Sequence, residues 1–309
     1  MTDPAQTLLK LIHETKAVSI WNRQTGPVFW YAASVPGPFY VNTELVIGPK
    51  LAESLLEKIT AIVGGTTDAA QRAAQLNAAI LSAYDANPAY RQVIAAMTAA
   101  AKAEFPAGSY DVVSGGERRD WLFSIPFARE CGARHLFLFK DQSFYCEQGI
   151  KAGETALHVA DLINNAASYF DLWLPILQKA GVACAGTVCL NSRGTNGLER
   201  LAAARVKVVA LNSIDLGFFA KSRDSGLIDA GTYAELESYF AAPKLWAAKY
   251  LMQDTALFDV AHTDAKSFAR LQSFFANDPW GLRPNHAAFF AAMDAAIAAR
   301  AGTAAKKAG

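Results

Sequence analysis

The sequence predicts an α/β fold: a parallel sheet flanked by helices, with an N-terminal β-rich hood, a helical insertion and a helical C-terminal extension. Three observations carry this. Between residues 110 and 211, five short runs rich in β-branched and apolar residues alternate with three stretches of helical spacing, the signature of parallel strands joined by crossover helices. Ahead of that region the chain is aromatic, alternating and punctuated by Gly and Pro. Behind it the pattern is helical to the end.

Residues 5–13 have amphipathic helical spacing, and 18–47 read as short strands broken by Gly26-Pro27 and Pro36-Gly37-Pro38. Gly48-Pro49 places a proline in the first turn of a helix that runs to about Val63 and stops at Gly64-Gly65. Thr66 or Thr67 is expected to cap a second helix to about Ala86, and Pro88 opens a third to about Phe105. Leu76, Ile80, Leu81 and Tyr84 fall on one face of the second. Strands are expected at 110–114, 135–139, 156–160, 182–190 and 206–211, and helices at 118–131, 166–180 and 196–204. Helices follow at 214–224, 232–240, 242–253, 264–276 and 285–300, with a strong turn at Asn277-Asp278-Pro279-Trp280-Gly281. No internal repeat interrupts this order. The expected organisation is a hood over 1–48, an α/β core over 49–230 that contains the insertion at 64–108, and a helical extension over 231–309.

Lys and Arg number 29 against 28 for Asp and Glu, a net charge of +1, so no basic surface points to nucleic acid and no acidic tail is present. Cys131, Cys146, Cys184 and Cys189 make no C-x-x-C pair and read as reduced cysteines of a cytoplasmic protein. Charges run through the apolar part of the first residues, which excludes a signal peptide, and no apolar run reaches the length of a membrane span. His13, His135, His158, His262 and His286 are scattered without metal-ligand spacing, and His158 reads as a satisfied core residue. The Phe- and Trp-rich C-terminal helices read as core.

Ligands of parallel sheets bind at the carboxyl ends of the strands. Four segments fall there: Gly115-Gly116-Glu117, Lys140-Asp141, the stretch 161–168 and the stretch 191–197. In the third, an apolar strand runs into Asp161, then Asn164-Asn165-Ala166-Ala167-Ser168, then a helix. Such a frame is an anion cradle, because the first N–H groups of a helix are unpaired and its dipole is positive there.

This segment resembles the phosphoribosyl-pyrophosphate (PRPP) loop of the phosphoribosyltransferases, whose pattern is an apolar strand, two acids and Thr-Thr-Gly-Gly-Ser. Over about residues 5–230 the chain is similar to orotate phosphoribosyltransferase in the order of several pieces. These are the Gly37-Pro38-Phe39-Tyr40-Val41-Asn42 stretch, Asp111-Val112-Val113-Ser114-Gly115-Gly116-Glu117, Pro126-Phe127-Ala128, Lys140-Asp141, the Gly153 turn and 188–214. The resemblance implies a type I phosphoribosyltransferase fold and PRPP-dependent transfer of ribose 5-phosphate to a nitrogen of an orotate-like base, with Mg2+. It implies a homodimer whose partners are otherwise small phosphate ligands, PRPP or a nucleotide. It implies that Asp161 and the 164–168 loop hold PRPP, with Gly115 and Gly116 on the pyrophosphate side, Lys140 meeting pyrophosphate and Arg193 holding the base.

Departures from the family pattern are equally specific. A family lysine falls at Ala32, an arginine at Phe139 and the first acid at Ala160. Thr-Thr-Gly-Gly has become Asn-Asn-Ala-Ala, and the catalytic loop is the short 141–152, without histidine. Alternatives therefore stay open: a repurposed relative that binds a phosphate ligand or a protein partner without PRPP chemistry, Asp161 as a plain helix cap, Arg118-Arg119 as a solvated helix start, Arg193 as a surface arginine, and Phe170 and Trp173 as core rather than base-stacking rings.

Overall fold

A computed structural model describes residues 4–23 and 26–308. Along the chain lie α1 (Pro4–Glu14), the short strands β1 (Val18–Ile20), β2 (Phe29–Trp30), β3 (Pro36–Gly37) and β4 (Phe39–Val41), a 3-10 turn at Thr43–Ile47, and helices α2 (Pro49–Gly65), α3 (Ala69–Ala86) and α4 (Pro88–Glu104). The α/β region then runs β5 (Val112–Gly116), α5 (Trp121–Glu130), β6 (Arg134–Leu138), β7 (Phe144–Tyr145), β8 (Thr155–Ile163), a π turn (Tyr169–Trp173) into α6 (Leu174–Lys179), β9 (Ala183–Ser192), α7 (Asn196–Ala203) and β10 (Val208–Ser213). Helices α8 (Leu216–Asp224), α9 (Ala230–Ala241), α10 (Pro243–Trp246), α11 (Ala265–Asn277) and α12 (Ala287–Ala308) complete it.

Two compact units emerge. One comprises the chain up to Ala17 with Asn42–Phe218; the other comprises Val18–Val41 with the chain from Phe219 on. This division differs from the linear one at 48 and 230, because the hood strands and the C-terminal helices share a core. Trp21, Val28 and Trp30 are buried there with Trp246, Phe258, Phe274, Phe275 and Phe290. The Val28 N–H donates to the Leu257 carbonyl at 3.0 Å, and Arg270 Nη1 donates to the Trp30 carbonyl at 2.7 Å. The aromatic C-terminal helices are thus core.

The first unit is built on a six-stranded sheet in the order β10-β9-β8-β5-β6-β7, parallel except for β7. Central strands buried on both faces read as continuous apolar runs, which is why 135–139 and 156–160 were legible. On one face Val112, Leu136, Ala156 and Ala160 pack with Trp173, Ile176 and Leu177.

Four details depart from expectation. First, β8 extends to Ile163, because its ladder with β9 continues through Leu162↔Asn191 and Ile163↔Ser192. Asp161 is therefore a strand residue and not a helix cap. Second, α5 starts at Trp121, since residues 117–120 form a loop in which the Glu117 N–H donates to the Leu138 carbonyl at 3.0 Å. Third, Asp68 rather than Thr66 or Thr67 caps α3, its Oδ1 accepting from the N–H groups of Ala70 and Gln71 at 2.8 and 3.1 Å and so satisfying two orphan donors at once. Fourth, the segment after Lys140 folds back as β7 against β6, pairing Leu138 with Phe144. Arg72 of α3, 6% exposed, donates to Asp141 Oδ2 at 2.7 Å, so the inserted helices hold the start of this hairpin. Arg134 secures its far end through Glu154 Oε1 at 2.7 Å and the Gly149 carbonyl at 2.8 Å.

Candidate functional site

At the carboxyl ends of β5, β6 and β8 lies a cavity of about 260 Å³. It brings together Lys140, Asp161, Asn164, Asn165, Ala166, Ala167 and Ser168 with the loop Glu117-Arg118-Arg119-Asp120, Ala160, Leu162, Tyr169 and Trp173. Seven of the residues singled out in the sequence thus share one cavity, although they come from two separate strand ends. Gly115, Gly116 and Arg193 do not line it.

The Asn164–Ser168 turn is held from outside. Its backbone accepts from the Gly197 N–H at the Asn164 carbonyl, 3.1 Å, and from the Arg200 guanidinium at the Asn165 carbonyl. Gly197 is required there, since a Cβ on it would lie 2.2 Å from the Asn164 oxygen. Arg200 also stacks over Phe170 at 4.5 Å, so Phe170 is packing, not a base platform. Inside the turn, Asn165 Oδ1 accepts the Ala167 N–H at 3.1 Å. Ala166 takes the left-handed conformation, φ 56°, that glycine adopts without cost. Asparagine tolerates that conformation better than alanine does, yet here an alanine adopts it. Among the described residues, the N–H groups of Asn165, Ala166 and Ser168 have no protein acceptor, and a helix start follows them, so the turn retains the donors of an anion cradle.

Lys140 is exposed at the end of the β6 strand, with its backbone N–H donating to Glu117 Oε2 at 3.1 Å. Its neighbour Asp141 faces away into the hairpin. Burial would raise the Asp141 carboxyl, but hydrogen bonds from Ser143 and Arg72 bring it down to about 2. Arg118 Nη1 donates to Thr60 Oγ1 at 2.7 Å, and Arg119 Nε pairs with the buried Glu44 at 3.0 Å.

Asp161 is the most perturbed acid in the cavity. Burial foremost, then the neighbouring Asp120 charge, push its carboxyl well above the ordinary carboxylate range; Arg119 opposes this and Glu44 adds to it. Its backbone N–H donates to Asp120 Oδ1 at 3.1 Å, and its own Oδ1 accepts the Leu162 N–H at 2.6 Å. Asp120, 8% exposed, was not singled out in the sequence: it lies 41 residues away on another loop, and nothing in its local pattern marks it. Behind it His158 is half satisfied rather than fully so. Its Nδ1 meets Ser114 Oγ at 3.0 Å, while its buried Nε2 has no hydrogen-bond partner and lies 3.6 Å from Asp120 Oδ2.

Gly115 and Gly116 serve packing. A Cβ on Gly115 would sit 2.0 Å from Ser124 Oγ, and one on Gly116 would sit 2.3 Å from the Trp173 ring. Trp173 is buried, stacks on His158 at 6.4 Å and forms one wall of the cavity. Arg193 follows β9 directly, half-buried, with its N–H donating to the Ile163 carbonyl at 2.8 Å. All four cysteines are free thiols, and no helix among the described residues is long and apolar enough to cross a membrane.

No protein-family model matches the chain. Orotate phosphoribosyltransferases from two strains of Cereibacter sphaeroides are 27% identical to it over 145 residues, 45% of this chain and 62% of theirs. The chain thus spans less than two thirds of the curated relatives it matches. Among solved structures, the likeness to Leishmania donovani UMP synthase has a TM-score of 0.54 at 13% identity and covers 76% of this chain and 42% of that one. That to orotate phosphoribosyltransferase of Francisella tularensis has a TM-score of 0.50 at 10% identity and covers 75% and 96%. The fold is that of a type I phosphoribosyltransferase, and the sequence matches amount to weak but consistent homology with its orotate-like members.

Proposed function

We propose that the cavity binds a phosphorylated ribose, PRPP in the first instance, and that the chain transfers ribose 5-phosphate to a nitrogen of an orotate-like base. The observation that carries this reading is the convergence of the 164–168 turn, Asp161 and Lys140 on one cavity at the carboxyl ends of parallel strands. In it, the N–H donors of Asn165, Ala166 and Ser168 and the Ser168 hydroxyl hold the 5-phosphate. Lys140 faces the pyrophosphate that leaves, where negative charge develops. Arg193, at the neighbouring strand end, takes an anionic group of the base as a guanidinium fork suits a carboxylate.

Mg2+ fits this site only as a companion of the ligand. Among the described residues no three His, Cys, Asp or Glu side chains stand together as a metal cage, and Mg2+ characteristically takes one or two carboxylates beside substrate phosphates. Glu117, Asp120 and Asp161 are the carboxylates the cavity offers. The ion supplies charge neutralisation to the leaving pyrophosphate. The same reading carries a homodimer and a cytoplasmic location.

A second reading is favoured by two observations: the hairpin that occupies the position of a catalytic loop is tied down by Arg72 and Arg134, and a left-handed alanine replaces a glycine. On it, the chain binds a sugar phosphate or nucleotide without turning it over. Calorimetric titration with PRPP and Mg2+, followed by an assay for pyrophosphate release with orotate, separates the two. Micromolar binding with turnover abolished by Asp161→Asn supports the enzyme; binding without turnover supports the binder; no binding by folded protein refutes both.

A further inference from the structure

A second cavity, of about 450 Å³, lies between the inserted helix α3, α5 and the β6–β7 edge of the sheet, and it shares no lining residue with the first. All of its wall belongs to the first compact unit. The sequence of α3 explains the space: Ala70, Ala73, Ala74 and Asn77 recur at helical spacing on one face, and their short side chains leave it open. Leu81, Ile125, Ala128 and Phe137 make the rest of the apolar wall. His135 also lines it. Its Nε2 meets Ser124 Oγ at 2.9 Å, while its buried Nδ1 has no hydrogen-bond partner. Burial, then the neighbouring His158, push this imidazole down to about 3, so the ring is neutral. Half-buried Asn77 and Tyr145 and exposed Glu147 and Gln148 bring further polar groups, and among the described residues none of the four makes a side-chain hydrogen bond. The two cations of the lining are already matched: Arg129 is bidentate on Asp85, and Arg134 holds Glu154 and the Gly149 carbonyl.

We propose that this cavity is a second binding site, for an uncharged planar heteroaromatic molecule of purine size, base or nucleoside. Size, walls and charge each argue for it. The volume falls in the range of small-molecule sites, which are mostly apolar with a few polar groups that fix orientation. Aliphatic and aromatic walls suit the faces of a flat ring. Asn77 and Gln148 carry amides, each with donors and an acceptor, the combination that reads the N6 and N7 edge of adenine bidentately. The orphaned His135 nitrogen is a donor or an acceptor according to its tautomer, and the mixed edge of a heterocycle answers either. Charge decides against an anion. With both guanidiniums already on carboxylates, Glu147 leaves the rim negative. This inference does not rest on the proposed transfer reaction, since the two cavities have no residue in common.

The test is calorimetric titration of the full chain with adenine, adenosine and AMP, repeated on Asn77→Ala and Ala74→Trp and in saturating pyrophosphate. Ala74 is exposed on α3, so an indole there fills the cavity without entering the core, and circular dichroism checks that each variant is folded. Expected are micromolar binding of adenine and adenosine, AMP about tenfold weaker or more, and no binding by Ala74→Trp. Asn77→Ala should weaken adenosine about fivefold, the worth of a hydrogen bond. Pyrophosphate should change none of these. No binding of adenine or adenosine by the folded parent overturns the site. Binding that is unchanged in Ala74→Trp, or that pyrophosphate displaces, puts the purine elsewhere and overturns it too. AMP as tight as adenosine overturns the assignment to an uncharged ligand, and an unchanged affinity in Asn77→Ala overturns the role of Asn77.

Discussion

Gly116 offers the sharpest test of how the cavity wall is built. An added methyl at that position would lie 2.3 Å from Cε2 and Cζ2 of Trp173 and 2.8 Å from Cδ2. Carbon atoms settle near 3.5 Å or beyond, so the indole must retreat by about 1 Å. It has little room to do so: Trp173 is 3% exposed and stacked on His158. Overpacking of this kind costs about 1–3 kcal/mol, and the steric demand here places Gly116→Ala near the upper half, about 2 kcal/mol. For a chain of this size that is a fall in melting temperature of about 4–8 °C. Urea denaturation of the parent, Gly116→Ala, Trp173→Phe and the double variant closes a cycle. Phe lacks the ring atoms that clash, so the cost of Gly116→Ala should shrink by about 1 kcal/mol or more in that background, with an unchanged slope of free energy against urea. A cost below about 0.5 kcal/mol, or the same cost in both backgrounds, would refute the claim that Gly116 exists to admit Trp173.

Two further outcomes follow from the turn and the acid pair. Ala166→Gly relieves a left-handed alanine worth about 1–2 kcal/mol but gives up a buried methyl and adds chain entropy of similar size, so its stability should stay within about 1 kcal/mol of the parent; a loss well beyond that in urea denaturation would mean the turn is not left-handed at Ala166. Asp161 carries a carboxyl raised by burial and by Asp120, so the native state keeps a proton that the unfolded chain releases above the ordinary carboxyl value of 3.8. Stability from this group is therefore full below that pH and is lost as pH rises through the native value. Asp161→Asn removes the loss while its amide oxygen can still accept the Leu162 N–H. The stability of Asp161→Asn relative to the parent should rise steadily from acid pH to pH 7, and a difference that does not vary with pH would contradict the raised carboxyl.

How much of this was legible in the sequence depends on whether a feature is local. The parallel core was legible because strands buried on both faces are apolar throughout, and the 164–168 turn because a strand, small residues and a helix start are contiguous. The end of β8 was missed because Asp161 looks like a strand terminus. Only the ladder partners Asn191 and Ser192 on β9 reveal that pairing continues past it. Gly115 and Gly116 look like a ligand loop for the same kind of reason: a glycine pair after a strand is the same letter pattern whether it approaches a phosphate or admits a buried Trp173.

The acid pair carries the lesson furthest. By linear pattern the site has lost half its carboxylates at Ala160, and that loss argues for lapsed chemistry. In three dimensions another carboxylate, Asp120, stands beside the site, accepting the N–H of the very peptide that Ala160 begins. Burying a second carboxylate there, 8% exposed and beside a His158 nitrogen that makes no hydrogen bond, costs stability that packing alone gives no reason to accept. An alanine or leucine at 120 would remove the repulsion that adds to burial in raising Asp161. A buried carboxylate at the cavity wall that helps to raise its neighbour is a perturbation more typical of functional sites than of plain packing.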